Sequence, residues 1–115
     1  MSAENYKIQR VGQQTVIALP AEIDVINADE VSRALVSAAS LGAAVLVIDM
    51  SGTTFCDSAG VQALIAAHKE AAATGTALRL VAPAVLRILT LVGIDQMIPL
   101  YPAVAEALAG TPGGQ

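Results

Sequence analysis

The chain begins with two short segments whose hydrophobic pattern is typical of β-strands. Tyr6 and Ile8 alternate with polar neighbours, and residues 15–19 are β-branched or apolar. Between these segments, Gly12-Gln13-Gln14 has the composition of a tight turn. The pattern therefore predicts that the chain opens with a β-hairpin.

A helix and a buried strand are predicted next. Asn27 followed by Glu30 has the pattern of a capping box, and apolar residues recur at helical spacing from Val31 to Ala39. Leu41-Gly42 is expected to end this helix. Residues 44–48 are continuously aliphatic, which is typical of a strand covered on both faces.

The remainder of the chain alternates between helices and strands. A second helical stripe runs from Val61 to Ala72, and a third helix is predicted with Pro83 in its first turn and Gly93 as its left-handed C-terminal residue. Further strands are predicted at Ala77–Val81 and Met97–Leu100, and a last helix at Pro102–Leu108.

The predicted order of elements is ββαβαβαβα, which defines the fold class. Strands that alternate with helices imply right-handed crossovers, hence a single α/β domain with a mostly parallel mixed sheet, an N-terminal hairpin and helices packed on the sheet. The domain is expected to span residues 1–110, with a disordered C-terminal tail at 111–115. Loops at the carboxyl ends of such strands commonly hold functional sites, and residues 52–58 form such a loop.

Composition narrows the function classes. The chain has 115 residues, a net charge of −4 and only 14% charged residues, which disfavours a nucleic-acid partner. Cys56 is the only cysteine and there is one histidine, so neither a disulfide nor a structural zinc site is expected, and no cofactor is predicted. The longest weakly polar stretch, residues 34–48, is shorter than the roughly 20 residues of a membrane span, so a cytoplasmic protein without membrane insertion is expected.

The segment Phe-Cys-Asp-Ser-Ala-Gly, residues 55–60, carries the most distinctive chemistry. Asp57 or Ser58 is suited to cap the following helix, which places the Ser58 hydroxyl at the positive end of the helix dipole. Unpaired backbone N–H groups at that end would accommodate a phosphate on Ser58. A helix cap without any further role accounts for the same residues.

The stretch VLVIDMSGTTFCDSAGVQALIAAHKEA, residues 45–71, resembles the central segment of the STAS domain family of sulfate transporters and anti-sigma-factor antagonists. The similarity includes the motif Asp57-Ser58-Ala59-Gly60 and the turn Glu22-Ile23-Asp24. Residues 82–87, 91–94 and 98–101 resemble the family's third helix and last strand. The resemblance covers about residues 6–108 and is greatest to the stand-alone bacterial antagonists.

The resemblance implies a function as an anti-sigma-factor antagonist that regulates sigma-factor-dependent transcription. In that group, the serine that matches Ser58 is phosphorylated by a partner that is both anti-sigma factor and serine kinase. The unphosphorylated antagonist binds this partner, the phosphorylated form releases it, and a protein phosphatase restores binding. Many members have a second hydroxyl residue where this chain has Ala59, so Ser58 is the expected phosphorylation site.

The expected contact surface surrounds the Ser58 loop. The acidic segment from Glu22 to Glu30 contains no basic residue, and it would steer association with a basic partner surface or serve only as the solvated start of a helix. A phosphate on Ser58 is expected to block binding locally, with little change in the backbone. The predicted partner-binding residues are Glu22, Ile23, Asp24, Thr54, Asp57, Gly60, Val61 and Gln62.

Two other function classes are considered. An enzyme is disfavoured because Cys56 occupies the first glycine position of a nucleophile elbow, and His68 lies about 15 Å along the same helix from Ser58. No phosphate-binding loop of the P-loop type is present. The alternative is a non-phosphorylated STAS subunit that docks on a transport ATPase or a stress-signalling scaffold. Cys56 is expected to anchor the loop, and Phe55 and Met97 are expected to pack rather than to bind a ligand.

Overall fold

This computed structural model describes residues 6–110, and the tail predicted at 111–115 lies outside that range. Its elements include the predicted order ββαβαβαβα, together with two additional two-residue strands and a 3₁₀ helix that the sequence pattern does not predict. In chain order they are β1 (Lys7–Val11), β2 (Gln14–Ala18), β3 (Glu22–Ile23), α1 (Ala28–Ala39), β4 (Val45–Asp49), β5 (Phe55–Cys56), α2 (Ser58–Thr74), β6 (Ala77–Val81), α3 (Leu86–Leu91), a 3₁₀ helix (Ile94–Gln96), β7 (Leu100–Tyr101) and α4 (Val104–Ala109).

The main sheet has five strands in the order β1-β2-β4-β6-β7. β1 pairs with β2 antiparallel, and the other neighbours pair in parallel, which confirms the predicted α/β fold with an N-terminal hairpin. The continuous aliphatic run in β4 predicts a strand covered on both faces, and Leu46, Val47 and Ile48 are indeed fully buried in the centre of this sheet.

Two hydrophobic clusters lie on opposite faces of the sheet, because successive side chains of a strand point in opposite directions. The larger cluster joins α1 and α2 to residues such as Ile17, Leu46 and Leu80. The smaller cluster joins α4 to the other face of the same strands. Arg79 links β6 to α4 on this face, since its Nη1 donates a hydrogen bond to the carbonyl of Ala107 at 2.7 Å. No helix within residues 6–110 is long and apolar enough to cross a membrane.

The predicted capping box at α1 is wrong. Asn27 precedes the helix but makes no side-chain cap hydrogen bond. Its Oδ1 instead accepts a hydrogen bond from the Asp24 backbone N–H at 3.0 Å, and its Nδ2 donates to the Glu22 carbonyl at 2.8 Å. The Asn27 amide therefore holds the segment before the helix rather than the helix itself.

Two boundaries near the C-terminus also differ from the prediction. The third helix begins at Leu86 rather than near Pro83, because residues 83–85 form a bend and a turn first. The last strand is limited to Leu100–Tyr101, and residues 97–98 of the predicted strand instead form a turn and a bend that follow the 3₁₀ helix. Pro99 cannot donate a backbone hydrogen bond, although its carbonyl accepts one from Leu80 at 3.0 Å, so the ladder begins there.

Candidate functional site

The loop after β4 is tied to the end of its strand by short polar contacts. The Asp49 carboxylate accepts hydrogen bonds from the backbone N–H of Ser51 at 2.9 Å and from its hydroxyl at 2.6 Å. Thr53 is completely buried and its hydroxyl donates to the carbonyl of Pro20 at 2.8 Å. These contacts explain why a polar loop holds a defined path.

A second, two-stranded sheet forms directly before α2. β3 and β5 pair in parallel, with Glu22 opposite Phe55 and Ile23 opposite Cys56. The pairing is extended on both sides, because the Thr54 N–H donates to Ala21 at 2.8 Å and the Asp57 N–H donates to Ile23 at 3.2 Å. The acidic segment that begins at Glu22 therefore lies beside the Ser58 loop, as predicted.

Asp57 is the N-cap of α2, as the sequence predicts. Its backbone is extended, and its Oδ1 accepts hydrogen bonds from the N–H groups of Ala59 at 2.9 Å and Gly60 at 3.2 Å. Ser58 is the first residue of the helix and is exposed to solvent. The expectation that unpaired N–H groups await a phosphate needs correction, because the Asp57 carboxylate already occupies those of Ala59 and Gly60.

Gly60 allows α2 to approach the small sheet closely. A Cβ atom at this position would lie 2.6 Å from the Cys56 Sγ and 2.9 Å from the Ile23 Cγ2, well inside ordinary contact. The absence of a side chain at Gly60 is thus a steric requirement of the contact between α2, β3 and β5.

Cys56 is buried, which agrees with its predicted role as a loop anchor. Burial raises the pKa of the Cys56 thiol to about 11, and the neighbouring Asp57 carboxylate acts in the same direction. A thiolate is the nucleophilic form of cysteine, so the environment of Cys56 suppresses its reactivity near neutral pH.

The predicted contact residues separate by their exposure. Ile23 is 1% exposed, Val61 is 9% exposed and Gly60 is also buried. These three residues lie beneath the surface of the site, so they do not belong to the proposed contact surface. Asp24 and Asp57 are half-buried. The exposed members of the predicted contact set are Glu22, Thr54 and Gln62, and the predicted phosphorylation site, Ser58, is exposed as well.

Three large apolar side chains that were not predicted as contacts are exposed around this loop. Val25 and Ile26 are 78% and 89% exposed, and they follow Asp24, whose Oδ1 accepts a hydrogen bond from the Ile26 N–H at 2.9 Å. Phe55 is 48% exposed, so it is not a core residue, and whether it only packs within the loop or also binds a partner stays a prediction. The sequence does carry a signal for the exposure of Val25 and Ile26, because they lie between Asp24 and Asn27, two residue types that favour turns.

His68 belongs to a different region of the molecule. It lies ten positions after Ser58 on α2 and is half-buried. It lines a groove of about 270 Å³ together with Met97 and Pro99. Met97 is 42% exposed, so of the two predicted roles, core packing or loop packing, the core role does not apply. Within residues 6–110, no group of three or more histidine, cysteine or acidic residues is arranged to hold a metal ion.

Comparison with known proteins establishes the family. The family model of the STAS domain matches residues 3–107, so the chain belongs to the STAS domain family. The crystal structure of an anti-sigma factor antagonist from Mycobacterium paratuberculosis matches with a TM-score of 0.83 at 28% identity, covering 92% of this chain and 92% of that chain. A comparison with curated protein sequences found no significant match.

Two further antagonists share the fold. An anti-sigma-factor antagonist domain protein from Planctomyces limnophilus matches with a TM-score of 0.79 at 21% identity, over 91% of this chain and 95% of that chain. The Bacillus antagonist SpoIIAA matches at 19% identity over 91% of this chain, with a TM-score of 0.70 over 96% of its unphosphorylated form and 0.67 over 97% of its phosphorylated form. The alignments cover 92% or more of the solved chain of each of these three antagonists, so these antagonist chains are similar in length to this one.

The contact at Gly60 yields a stability prediction. Gly60→Ala should lower the free energy of unfolding by about 1–2 kcal/mol, because overpacking against Cys56 and Ile23 outweighs the helix preference of alanine. Gly52→Ala is the matched control, since a Cβ there meets nothing within 4 Å, and it should change stability by less than about 0.5 kcal/mol. Urea unfolding measures both variants.

The same measurement on a double variant identifies the clash. Cys56→Ala removes the sulfur atom that a Cβ at Gly60 would meet first. The loss of unfolding free energy in the double variant Gly60→Ala/Cys56→Ala should therefore be smaller than the sum of the losses in the two single variants, by at least about 0.5 kcal/mol. Strict additivity of the two changes would contradict the proposed contact.

The raised pKa of Cys56 predicts a loss of stability at high pH. Its pKa is about 11 in the folded chain against an ordinary value of 9.0, so its stabilising contribution is present below pH 9 and is lost as pH rises towards 11. The difference in unfolding free energy between the wild type and Cys56→Ala should fall by about 2 kcal/mol between pH 8 and pH 11.

Cys56→Ala serves as the reference because another group titrates in the same range. Burial raises the pKa of Tyr6, and Glu30 contributes in the same direction, so both proteins lose stability through Tyr6. Only the wild type loses the contribution of Cys56. If the difference in unfolding free energy between the wild type and Cys56→Ala stays constant from pH 8 to pH 11, the raised pKa of Cys56 is contradicted.

Proposed function

We propose that this chain is an anti-sigma-factor antagonist whose binding is controlled by phosphorylation of Ser58. The unmodified chain binds an anti-sigma factor that is also a serine kinase, and phosphorylation of Ser58 releases it. A protein phosphatase returns the chain to its binding form. The observation that carries this proposal is the exposed Ser58 hydroxyl at the first residue of α2, surrounded by the exposed residues Glu22, Thr54 and Gln62.

The position of Ser58 suits modification by another protein. Its side chain is exposed while the backbone on either side is held by the Asp57 cap and by the β3–β5 pairing. A kinase can therefore reach the hydroxyl without unfolding the loop. Because the proposed partner acts in transcription, the proposal also places the protein in the cytoplasm.

Charge provides the physical basis for release. A phosphate adds about −1.5 to −2 charge, and it would stand next to the Asp57 carboxylate and near the acidic segment. Burying such a group in an interface, beside like charges, costs several kcal/mol. A change from 99% bound to 99% free needs roughly 5.5 kcal/mol of differential affinity, which a phosphate within the contact surface would largely supply.

The proposal requires no rearrangement of the fold. The Asp57 carboxylate keeps its bonds to the N–H groups of Ala59 and Gly60, so a phosphate on Ser58 gains no bond from them and extends into the solvent. The phosphorylated and the unphosphorylated form of SpoIIAA both share the fold of this chain, which supports a modification that leaves the fold in place.

A second candidate function is favoured by the exposed apolar residues. Val25 and Ile26, which are 78% and 89% exposed, suit a chain that docks permanently on a transport ATPase or a stress-signalling scaffold. In that case Ser58 would be a contact residue without modification. Incubation of the chain with ATP and candidate kinases, followed by mass spectrometry, separates the two functions, because only the first predicts the addition of one phosphate, on Ser58.

The switch is tested with variants of Ser58. Affinity capture with the Ser58→Ala chain should retain the same partner as the wild type, because alanine leaves the surface neutral. Ser58→Asp should lower the affinity for that captured partner at least about tenfold, because an interfacial carboxylate beside Asp57 is costly. Isothermal titration calorimetry with the purified partner measures the difference.

Ser37→Asp is the control for added charge, since Ser37 is an exposed serine on α1 outside the proposed surface. It should bind like the wild type. Equal affinity of Ser58→Ala and Ser58→Asp for the partner would eliminate the switch. An NMR spectrum of the phosphorylated chain in which the backbone amide signals shift throughout the main sheet would contradict a local mechanism.

A further inference from the structure

A surface groove lies between β5 and α3, next to the Ser58 loop but without contribution from Ser58 itself. Its volume is about 290 Å³, and its lining includes Phe55, Val85, Arg87, Ile88 and Leu91. This volume lies at the lower limit of pockets for small molecules, about 300–1,000 Å³, and is large enough for side chains of a protein partner.

The walls of the groove are apolar and open to solvent. Phe55 and Ile88 are 48% and 43% exposed, and Leu91 is 75% exposed. The neighbouring Val92 is 54% exposed, so most of the outer surface of α3 is hydrophobic. Contiguous apolar surface of this kind on a water-facing helix indicates a binding surface.

Arg87 gives the groove a specific charge. It is the only charged residue in the lining, and its side chain has no hydrogen bond or ion pair with any residue between 6 and 110. The chain as a whole has a net charge of −4, and Arg87 is one of six Lys and Arg residues in it. Arginine forms strong charge-assisted hydrogen bonds with carboxylates, often with two parallel bonds.

We propose that this groove binds an apolar side chain and an adjacent carboxylate of the partner protein. Leu91, Ile88 and Phe55 would cover the apolar side chain, and Arg87 would pair with the carboxylate. This inference rests on the proposed function, because it describes a second contact with the same partner. Its chemistry is opposite to that of Glu22 and the acidic segment, which favours basic groups.

The two contacts together would define how the partner is oriented. A partner that docks in reverse would place its acidic group against the acidic segment and its basic group against Arg87, and both arrangements are repulsive. Ser58 does not line the groove, so a phosphate on Ser58 would not act on the groove directly. It therefore contributes affinity and orientation, while Ser58 controls release.

The groove is tested with two blocked dipeptides as probes. N-acetyl-leucyl-glutamate amide should shift the backbone amide signals of residues 54–56 and 84–91 in a saturable way when titrated into the isotope-labelled full chain. N-acetyl-leucyl-lysine amide should bind about threefold more weakly, since the Arg87 ion pair is replaced by a repulsion at a solvent-exposed site. High salt should reduce the difference between the two.

Variants assign the effect to the groove. Arg87→Glu should reverse the preference between the two dipeptides, and Leu91→Ser should weaken both because the apolar wall is lost. Arg33→Glu is the matched control, because Arg33 is an exposed arginine on α1 that does not line the groove, and it should leave the preference unchanged.

The outcome is separable from the switch at Ser58. Ser58→Asp should bind both dipeptides like the wild type, so the groove is confirmed or rejected even if Ser58 is never phosphorylated. Absence of saturable shifts at residues 54–56 and 84–91, or equal affinity for the two dipeptides at low salt, would overturn the proposal. Concentration-dependent dimerisation that is abolished by Leu91→Ser would overturn it in favour of a second copy of the chain as occupant.

Discussion

The parallel pairing between residues 21–23 and 54–57 is the interaction on which the site depends. Each of these segments is too short to persist alone, and each obtains its backbone hydrogen bonds from the other. The pairing sets Glu22 beside the loop and directs the Asp57 carboxylate towards the first turn of α2. The lack of a side chain at Gly60 permits this arrangement, because Cys56 and Ile23 occupy the adjacent space.

The rigidity of this arrangement favours charge, rather than a change of shape, as the means of control in the proposed switch. The interior beneath the loop is aliphatic and closely packed, with Leu64 and Met50 almost completely buried. A packed interior of this kind resists continuous deformation, so a modification at its surface acts where it is placed. A phosphate on Ser58 changes the electrostatic potential of the surface and leaves the supporting hydrogen bonds of Asp57 in place.

The surface around the loop combines three kinds of chemistry. The acidic segment from Glu22 onwards favours basic groups, the exposed side chains of Ile26 and Phe55 favour burial, and Arg87 favours an acidic group. Apolar contacts supply most of the affinity in protein interfaces, and the charges supply orientation and the rate of encounter. In the proposed switch, this division would let one modified residue control binding by a surface that is otherwise constant.

The sequence by itself determined the features that depend on local chemistry. The alternation of periodic segments predicted the parallel sheet, and Asp57 before Ser58 predicted the helix cap, because cap geometry involves only neighbouring residues. Only the tertiary structure decided that β3 pairs with β5, that Asn27 bonds backward to Glu22, and that Ile23 is buried while Phe55 is exposed. Two-residue strands carry no periodicity, and the burial of a side chain depends on segments that folding brings together from distant parts of the chain.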